Sequence, residues 1–419
     1  MMSGGEQASR SWIGPLWLKL SRHKRLKPLK AILTLNGGSA TLKVALFEAA
    51  APHRRLGDGV IERFGVGPRL RLRAPGLADH LQDWAKGEGP ADAQAAFHAL
   101  WPALKARHSD LEIVAVGHRI VHGGADHAGP CLIDEAVLTG LKRLSPLAPL
   151  HQPTNLAVLE AAQQDLPKAQ HVACFDTAFH QGRAFETQAF ALPRHFYEEG
   201  VRRYGFHGLS YASVLERLRH ERPDLAMGKI VIAHLGSGCS LCGLDQGRSV
   251  ATTMGFSALD GLPMGTRTGT IDPGVLLYLM TDRGMDAKTI EDLLYRRSGL
   301  LGLSGLSADV RDLEASDQPQ AQQALDYFCS RVAVGIATMA GELGGLDGVI
   351  FTAGIGENAP TIRRDISRRL GWLGATLDPE ANQEGHRDLS TAGSGLALCI
   401  IPTDEESQIA IQTAALCGL

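Results

Sequence analysis

Apolar and polar residues follow each other along the chain in short blocks that predict strands and turns. Residues 31–35 and 42–47 are apolar runs separated by small and polar residues, which is the pattern of a β-hairpin. The same pattern returns in the second half of the chain, where residues 230–235 and 239–244 flank a glycine-rich turn. A repeated hairpin predicts a duplicated α/β domain with a nucleotide cleft between the copies.

Longer segments with helical spacing alternate with further apolar runs. We expect helices over residues 92–107 with Asp92 as N-cap, 135–144, 272–282, 287–296, 318–343, 361–370 and from about 405 onward. We expect strands over residues 113–116, 172–175, 349–352 and 396–402, with residues 353–358 as a loop. Strands that alternate with helices indicate an α/β fold throughout.

Composition narrows the class of protein. The chain has 419 residues, enough for two or three domains, and 44% of them are hydrophobic. The net charge of −3 gives no global basic field, so we expect no nucleic-acid partner. No apolar run reaches the roughly 18 residues of a membrane span, so we expect no stable membrane association. Seven scattered cysteines fit a reducing, cytoplasmic location.

The first 30 residues differ from the rest in charge, because they contain several basic residues but a single acidic residue, Glu6. Most of these charges follow the apolar patch, whereas a signal peptide carries them before it. We interpret residues 1–30 as a disordered basic leader, or as the product of a start site placed too far upstream. A weak anchor to an anionic surface is the alternative.

Three small-residue loops, 36–41, 234–240 and 353–358, each follow an apolar run. Such loops let the backbone approach phosphate oxygens closely. None has the Walker A pattern, and a single glycine-rich turn would carry little weight. Three such loops together indicate a nucleotide-binding site.

Two arginines and a lysine are candidates for contacts to anions. Arg119 and Arg267 stand among glycines, where an arginine is a poor packing residue. Arginine suits bidentate contacts to carboxylate or phosphoryl oxygens. Lys43, in the second strand of the first hairpin, is either an exposed strand lysine or a cation near the β- or γ-phosphate.

The acidic and histidine candidates each have an ordinary alternative. Asp176 stands at the end of a predicted strand, where a carboxylate is either a helix N-cap or an active-site acid. His207 lies between aromatic residues and glycines as a core histidine or as a catalytic group. Glu405 and Glu406 begin the last helix, where acids complement the helix dipole or hold Mg²⁺.

Together these segments resemble the acetate kinase family, also called the acetate and propionate kinases, within the actin-like ATPase superfamily. The resemblance runs from about Ile32 to the C-terminus. Two segments resemble the family signatures: Asn36-Gly37-Gly38-Ser39-Ala40-Thr41-Leu42-Lys43 and Phe175-Asp176-Thr177-Ala178-Phe179-His180. Residues 203–208, 265–267, 354–358 and 402–406 fit as well, in the family's order.

The resemblance implies an α/β fold of two duplicated actin-like (ribonuclease H-like) domains. The boundaries it implies are residues 31–178 plus 404–419 for an acid-binding, catalytic domain, and 179–403 for a nucleotide-binding and dimerisation domain. It implies a cytoplasmic homodimer that transfers the γ-phosphoryl group of ATP to acetate, reversibly, giving acetyl phosphate and ADP. Mg²⁺, or Mn²⁺ in its place, is the implied metal.

Site residues follow from the same resemblance. Asp176, His207, Arg267 and Arg119 would be catalytic, with His207 and Arg267 supplying positive charge in the transition state. Val121, Leu150, Pro153 and Phe179 would join Arg119 in binding the acid, and Asn36 and Glu405 would serve the metal. The nucleotide would be held by Lys43, by His234, Leu235, Gly236, Ser237 and Gly238, by Asp309, Val310 and Arg311, and by Gly354, Ile355, Gly356, Glu357 and Asn358.

The chain departs from the family pattern at a few positions. Leu209 and Tyr211 stand where the family usually has Thr and His, and Ser237 replaces an Asn. Ala40 replaces a Ser, and Asp404 replaces an Asn. None of these changes removes a residue assigned to the chemistry. The open alternatives are a propionate or butyrate kinase and, from another class, an actin- or Hsp70-like ATPase.

Overall fold

Two β-sheets form the framework of the protein. The computed structural model describes residues 28–38 and 40–419. Of the predicted leader, residues 1–30, the first 27 therefore lie outside the described residues, and the last two belong to the first strand. The strands of the described part are β1 (Leu29–Gly37), β2 (Thr41–Glu48), β3 (Ala51–Glu62), β4 (Arg69–Arg73), β5 (His80–Asp83), β6 (Leu111–Ile120), β7 (Cys131–Leu132), β8 (Gln170–Phe175), β9 (Lys229–Leu235), β10 (Cys239–Asp245), β11 (Arg248–Thr252), β12 (Gly348–Thr352) and β13 (Ala397–Ile400).

The two sheets repeat one topology. The first sheet has the order β5-β4-β3-β2-β1-β6-β8-β7, and the second has the order β11-β10-β9-β12-β13. In each, three antiparallel strands are followed by two parallel ones, so β3-β2-β1-β6-β8 corresponds to β11-β10-β9-β12-β13. The predicted duplication of an α/β domain is confirmed.

The helices lie between and around the strands. They are α1 (Ala93–Arg107), α2 (Glu135–Arg143), α3 (Gln152–Asp165), α4 (Phe185–Gln188), α5 (Arg194–Glu198), α6 (Gly208–Glu221), α7 (Pro223–Ala226), α8 (Pro273–Thr281), α9 (Ala287–Arg296), α10 (Gly299–Ser304), α11 (Val310–Glu314), α12 (Pro319–Leu343), α13 (Ala353–Asn358), α14 (Pro360–Arg369), α15 (Pro379–Glu384) and α16 (Glu405–Cys417). Asp92 caps α1 as expected, since its side chain accepts a hydrogen bond from the Ala95 amide.

Helices cover both faces of each sheet. On the first sheet, α1 and α3 pack against one face and α16 packs against β1 and β6. On the second sheet, α12 packs against β9, β10 and β11, while α6 and α7 cover the other face. Apolar side chains on alternate strand positions fill both layers, so almost all of β1, β9 and β12 is buried.

Some predicted bounds change. β1 begins at Leu29, two residues before the expected start, and the strand expected at 113–116 extends to Leu111–Ile120 and contains Arg119. The loop prediction for 353–358 is wrong, because those residues form α13. The elements that were not predicted from the sequence are β3, β4, β5, β7, β11, α3, α4, α5, α6, α7, α10, α11 and α15.

Two further findings concern membrane-spanning helices and disulfides. No helix in the described part of the chain is long and apolar enough to cross a membrane. All seven cysteines are unpaired, and five of them are buried.

Candidate active site

A cleft of about 670 Å³ lies where the carboxyl ends of the parallel strands of both sheets meet. Asn36, Arg119 and Asp176 stand at or just after the ends of β1, β6 and β8. His234 and Gly354 stand at the corresponding ends of β9 and β12. Ligands of open α/β sheets bind at this edge. The cleft is lined by Asn36, Gly38, Ala40, Thr41, Lys43, Arg119, Val121, His151, Asp176, Phe206, His207, His234, Gly236, Ser237, Gly238, Ala258, Arg267, Ala353, Gly354, Glu357, Thr403, Glu405 and Glu406.

A chain of polar contacts runs across the floor of the cleft. Arg119 Nη2 lies 2.7 Å from Asp176 Oδ2, and its Nε lies 3.2 Å from the same oxygen. Arg119 Nη1 donates to Asn36 Oδ1 at 3.1 Å. Asn36 Nδ2 donates to Glu405 Oε2 at 2.8 Å and to Glu406 Oε1 at 3.0 Å. The last helix is thereby joined to the ends of β1, β6 and β8.

The two carboxylates of this chain respond differently to burial. Burial raises the pKa of Asp176, and the charge of Arg119 opposes that rise only in part. Burial also acts to raise the pKa of Glu405, but the charges of Arg119, His234 and Lys43 bring it below its ordinary value. Asp176 Oδ1 is buried without a hydrogen-bond partner in the described structure.

Two imidazoles stack above this floor. The rings of His207 and His234 have centroids 4.1 Å apart with an angle of 19° between their planes. His207 Nδ1 lies 2.8 Å from Ser240 Oγ, and His234 Nδ1 lies 2.8 Å from Ser210 Oγ. Because β9 and β10 pair His234 with Ser240, the second hairpin sets this arrangement directly.

Both histidines are neutral at pH 7. Burial, followed by the neighbouring His234 and then by the charges of Arg119 and Arg267, holds the pKa of His207 well below its ordinary value. Burial likewise lowers the pKa of His234 to about 4. A neutral His207 can act as a hydrogen-bonding group, whereas the positive charge expected from the sequence requires a protonated ring.

His207 also has an unusual backbone conformation. Its φ of 58° lies in the left-handed region, which a non-glycine residue rarely adopts. It precedes α6, and the amide of Gly208 donates to the Asp176 carbonyl at 3.0 Å. A side chain at position 208 would collide with that carbonyl, so only glycine permits this close approach. The strained turn brings His207 next to Asp176, and strain of this kind is common at functional sites.

Arg267 enters the cleft from the opposite side. Its Nη1 donates to the Ala258 carbonyl at 3.0 Å, and its Nη2 donates to His151 Nε2 at 3.0 Å. Burial, followed by the charges of Arg267 and Arg119, lowers the pKa of His151 to about 3. His151 is thus a neutral acceptor that orients Arg267.

The turn of the second hairpin and α13 form the wall opposite the first hairpin. Gly238 passes so close to His207 that a Cβ there would lie 3.2 Å from Nε2 of the ring. Glu357 Oε1 accepts from the amides of Ala353 at 2.8 Å and Thr403 at 3.2 Å. Glu357 therefore joins α13 to the segment that precedes α16.

Several expected site residues do not line this cleft. Leu150 borders a separate cavity of about 390 Å³, and Pro153 lies in the first turn of α3. Phe179 packs near Tyr211, and Leu235 is buried in the core. Asp309 caps α11 and pairs with Arg311, and Val310 between them is buried. Three others lie within α13, namely Ile355, Gly356 and Asn358.

Other residues of the cleft were not predicted from the sequence. Phe206 and Thr403 lie within the motifs beside assigned residues, and Ala258 lies outside the motifs. None of the three gave a separate signal. His151 follows Leu150 directly and has the clearer role, because it contacts Arg267. A histidine in an otherwise apolar stretch was the available signal.

The cleft contains carboxylate donors of the kind that a magnesium ion takes. Among residues 28–38 and 40–419, no group of three or more histidine, cysteine or acidic side chains is placed to enclose a metal. Mg²⁺ commonly takes only one or two carboxylates and leaves its other positions to water and phosphate. Glu405 and Glu406 supply two such carboxylates at the cleft. Asn36 presents its amide nitrogen to both, so it orients them.

Comparisons with known proteins agree with this geometry. The sequence model of the Acetokinase family matches residues 31–411. An acetate kinase of Nitrobacter hamburgensis is 47% identical over 392 residues, which cover 93% of this chain and 96% of the relative. An acetate kinase of Rhizobium meliloti is 46% identical over 93% of this chain and 98% of the relative.

Solved structures give the same result for the fold. A propionate kinase from Francisella tularensis superposes with a TM-score of 0.84 at 34% identity, covering 93% of this chain and all of that one. An acetate kinase from Porphyromonas gingivalis gives a TM-score of 0.80 at 33% identity, with the same coverage. The chain therefore belongs to the acetokinase family, whose members are phosphotransferases with a carboxyl group as acceptor.

Proposed function

We propose that the cleft binds ATP and acetate together and transfers the γ-phosphoryl group directly to an acetate oxygen, reversibly. The observation that carries this proposal is the convergence of Arg119, Asp176, His207 and Arg267 on one cleft. Family membership supports the same activity and makes ATP a substrate. The carboxylate nucleophile and the phosphate are both anions, so their approach requires positive charge at the point of transfer.

The acid would lie between the two arginines. Arg119 and Arg267 are both partly buried cations that line the cleft. Val121, Phe206 and Ala258 are 2%, 1% and 8% exposed and provide apolar surface at the same place. A short acyl chain fits such a wall, whereas its carboxylate needs the guanidinium groups.

Asp176 would position Arg119 rather than remove a proton. Acetate is already ionised at pH 7, so its attack on phosphorus needs no base. The Asp176 carboxylate instead fixes Arg119 through two contacts to one oxygen. His207 would add a neutral hydrogen bond to the phosphoryl oxygens, and in-line geometry would follow from closure of the cleft.

Mg²⁺, or Mn²⁺, would be held by Glu405 and Glu406 with Asn36 orienting them, and when bound it neutralises charge on the phosphates. Lys43 lies directly opposite Asn36 in the β1–β2 pair and would add a cation near the phosphates. The turn Gly236–Gly238 and Gly354 would let the nucleotide approach the backbone closely. For the residues outside the cleft wall, Asp309 to Arg311 among them, a nucleotide role stays a prediction.

We infer the domain boundaries from packing. Residues 31–178 would form one domain and 179–403 the other, with 404–419 returning to the first. The packing of α16 on β1 and β6 supports that return. A cytoplasmic location is supported by the seven unpaired cysteines, since disulfides are rare in a reducing compartment.

A homodimer is supported by one exposed apolar helix. Helix α8 has no buried residue although its sequence is mostly apolar. Val275, Leu277, Tyr278 and Met280 are 40–60% exposed there. Light scattering should give twice the chain mass, and Leu277→Asp should shift it toward the monomer. A wild-type monomer at micromolar concentration would contradict the dimer.

Hydroxylamine trapping tests the proposed reaction. With Mg²⁺ and ATP, acetate should give a hydroxamate signal that requires both ATP and the acid. Relative rates with acetate, propionate and butyrate would name the preferred acid, since one methylene is worth only about 1–3 kcal/mol in an apolar pocket. ATP hydrolysis without acid-dependent hydroxamate would contradict the proposal and favour the ATPase alternative.

A further inference from the structure

The active-site imidazole of His207 is backed by a buried chain of hydroxyl groups. Ser240 Oγ lies 2.8 Å from His207 Nδ1, and the Tyr211 hydroxyl lies 2.5 Å from the same Oγ. Tyr211 and Ser240 are both 0% exposed. Tyr211 is also one of the positions where this sequence departs from the pattern of the family that it resembles.

The protons in this chain can be assigned by elimination. In the described part of the protein, Ser240 Oγ is the one hydrogen-bond partner of the Tyr211 hydroxyl. A phenol that only accepted a bond would leave its own buried proton without an acceptor, which is costly. Tyr211 therefore donates to Ser240. Ser240 has a single proton, and its remaining partner is His207 Nδ1, so Ser240 donates to that nitrogen.

The ring nitrogen that faces the cleft follows from this assignment. A neutral imidazole carries one proton, and Nδ1 is occupied as an acceptor, so the proton lies on Nε2. The lowered pKa of His207, caused mainly by burial, agrees with a neutral ring. Nε2 faces the Gly236–Gly238 turn, where phosphates are expected.

We propose that Tyr211 is a positioning residue that acts through Ser240 to hold His207 in the tautomer with its proton on Nε2. In that tautomer Nε2 donates to a phosphoryl oxygen, whereas in the other it presents a lone pair that repels one. The proposal rests on the role proposed above for His207. The hydrogen bond from Tyr211 polarises the Ser240 hydroxyl, which makes it a stronger donor to His207 Nδ1 and a weaker acceptor from it. Loss of the Tyr211 hydroxyl therefore weakens the preference for this tautomer, and the second tautomer becomes populated.

Kinetics of matched variants test this chain. Tyr211→Phe should lower kcat about 3- to 10-fold, the factor expected when one hydrogen-bond preference is released, with little change in KM. Tyr204→Phe is the matched control, because its hydroxyl donates to the Gly200 carbonyl and contacts no part of the chain of hydroxyl groups. It should keep the wild-type kcat.

The double variant separates positioning from packing. If Tyr211 acts through Ser240, Tyr211→Phe should have no further effect in a Ser240→Ala background. Equal, independent losses in both backgrounds would overturn the proposal. So would a Tyr211→Phe enzyme with wild-type kcat.

Nitrogen NMR measures the tautomer without turnover. In protein labelled with ¹⁵N-histidine, the His207 signals, assigned by their loss in His207→Ala, should show Nε2 protonated and Nδ1 bare. In Tyr211→Phe these signals should shift toward the values of a mixture of the two tautomers. A proton on Nδ1 of the wild type would overturn the proposal. If the tautomer is as stated but His207→Ala keeps full kcat, the role proposed for His207 fails and the tautomer assignment stands.

Discussion

Removal of Arg119 should cost both activity and stability, and the two losses can be separated. Arg119→Ala removes the only cation bonded to Asp176 in the described structure. The Asp176 side chain is 1% exposed, and its other oxygen has no partner. Breaking a buried pair from one side typically costs about 3–5 kcal/mol, because the remaining charge stays buried. We expect a loss of that order in the free energy of unfolding at pH 7.

A second substitution should restore the stability but not the activity. Arg119→Ala with Asp176→Asn leaves neither charge of this pair, so about 1–3 kcal/mol of the loss should return. Because the transferring phosphoryl group still lacks the guanidinium, kcat should stay about 10²- to 10³-fold below wild type in both variants. Urea unfolding followed by fluorescence gives the stabilities, and hydroxamate formation gives kcat.

The pH dependence of the unfolding free energy provides an internal check on the same pair. Loss of Arg119 leaves the pKa of Asp176 raised further by burial. A raised carboxyl pKa favours the folded protein below the unfolded value of about 4 and loses that effect as the pH rises through the folded pKa. The stability difference between Arg119→Ala and wild type should therefore shrink as the pH falls.

The control for this prediction is an exposed ion pair. Arg73 bonds Asp58 at 2.9 Å with its side chain 52% exposed, so Arg73→Ala should leave the unfolding midpoint and kcat unchanged. Purely additive stability effects of the Arg119 and Asp176 substitutions, or near-normal kcat for Arg119→Ala, would refute the reasoning.

Three further predictions follow from the buried groups. Arg267→Ala should lower kcat about 10²- to 10³-fold in steady-state assays, and a near-normal kcat would remove Arg267 from the mechanism. Burial lowers the pKa of His122 to about 4, so its contribution to stability is present above pH 6.5 and is lost as the pH falls toward 4. His122→Asn should reduce the dependence of the unfolding free energy on pH by up to about one proton in that window, and an unchanged slope would contradict this. Arg363 is 1% exposed and donates to the carbonyls of Gly356 and Glu357, so Arg363→Met should weaken ATP binding in calorimetry, and an unchanged affinity would exclude that support.

The hairpins and the strand ends could be predicted from the sequence because their signal is local. A run of apolar residues closed by Gly37 or Gly236 determines the hairpin, and residues at the ends of parallel strands meet by topology alone. Arg119 and Asp176 could therefore be identified as site residues from their positions at strand ends, whereas Asn36 and His234 were expected only from the family resemblance. All four line the cleft.

The missed features depend on contacts between distant segments. His151 lies 116 positions from Arg267 in the sequence, and nothing local marks the bond between them. Residues 353–358 contain two glycines and suggested a loop, yet Glu357 bonds the amide of Ala353 and the segment closes into a helical turn. The pKa of His207 also depends on groups from separate segments, so the sequence could not give its charge.

The central claim is that a carboxylate oxygen attacks phosphorus. Acetate labelled with ¹⁸O in both carboxylate oxygens, incubated with Mg²⁺ and ATP, should give acetyl phosphate whose phosphorus signal is shifted upfield in ³¹P NMR by one bonded ¹⁸O. That shift in the product formed by this enzyme is the predicted result. Acetyl phosphate without ¹⁸O on phosphorus, or unlabelled inorganic phosphate as the only product, would contradict the account.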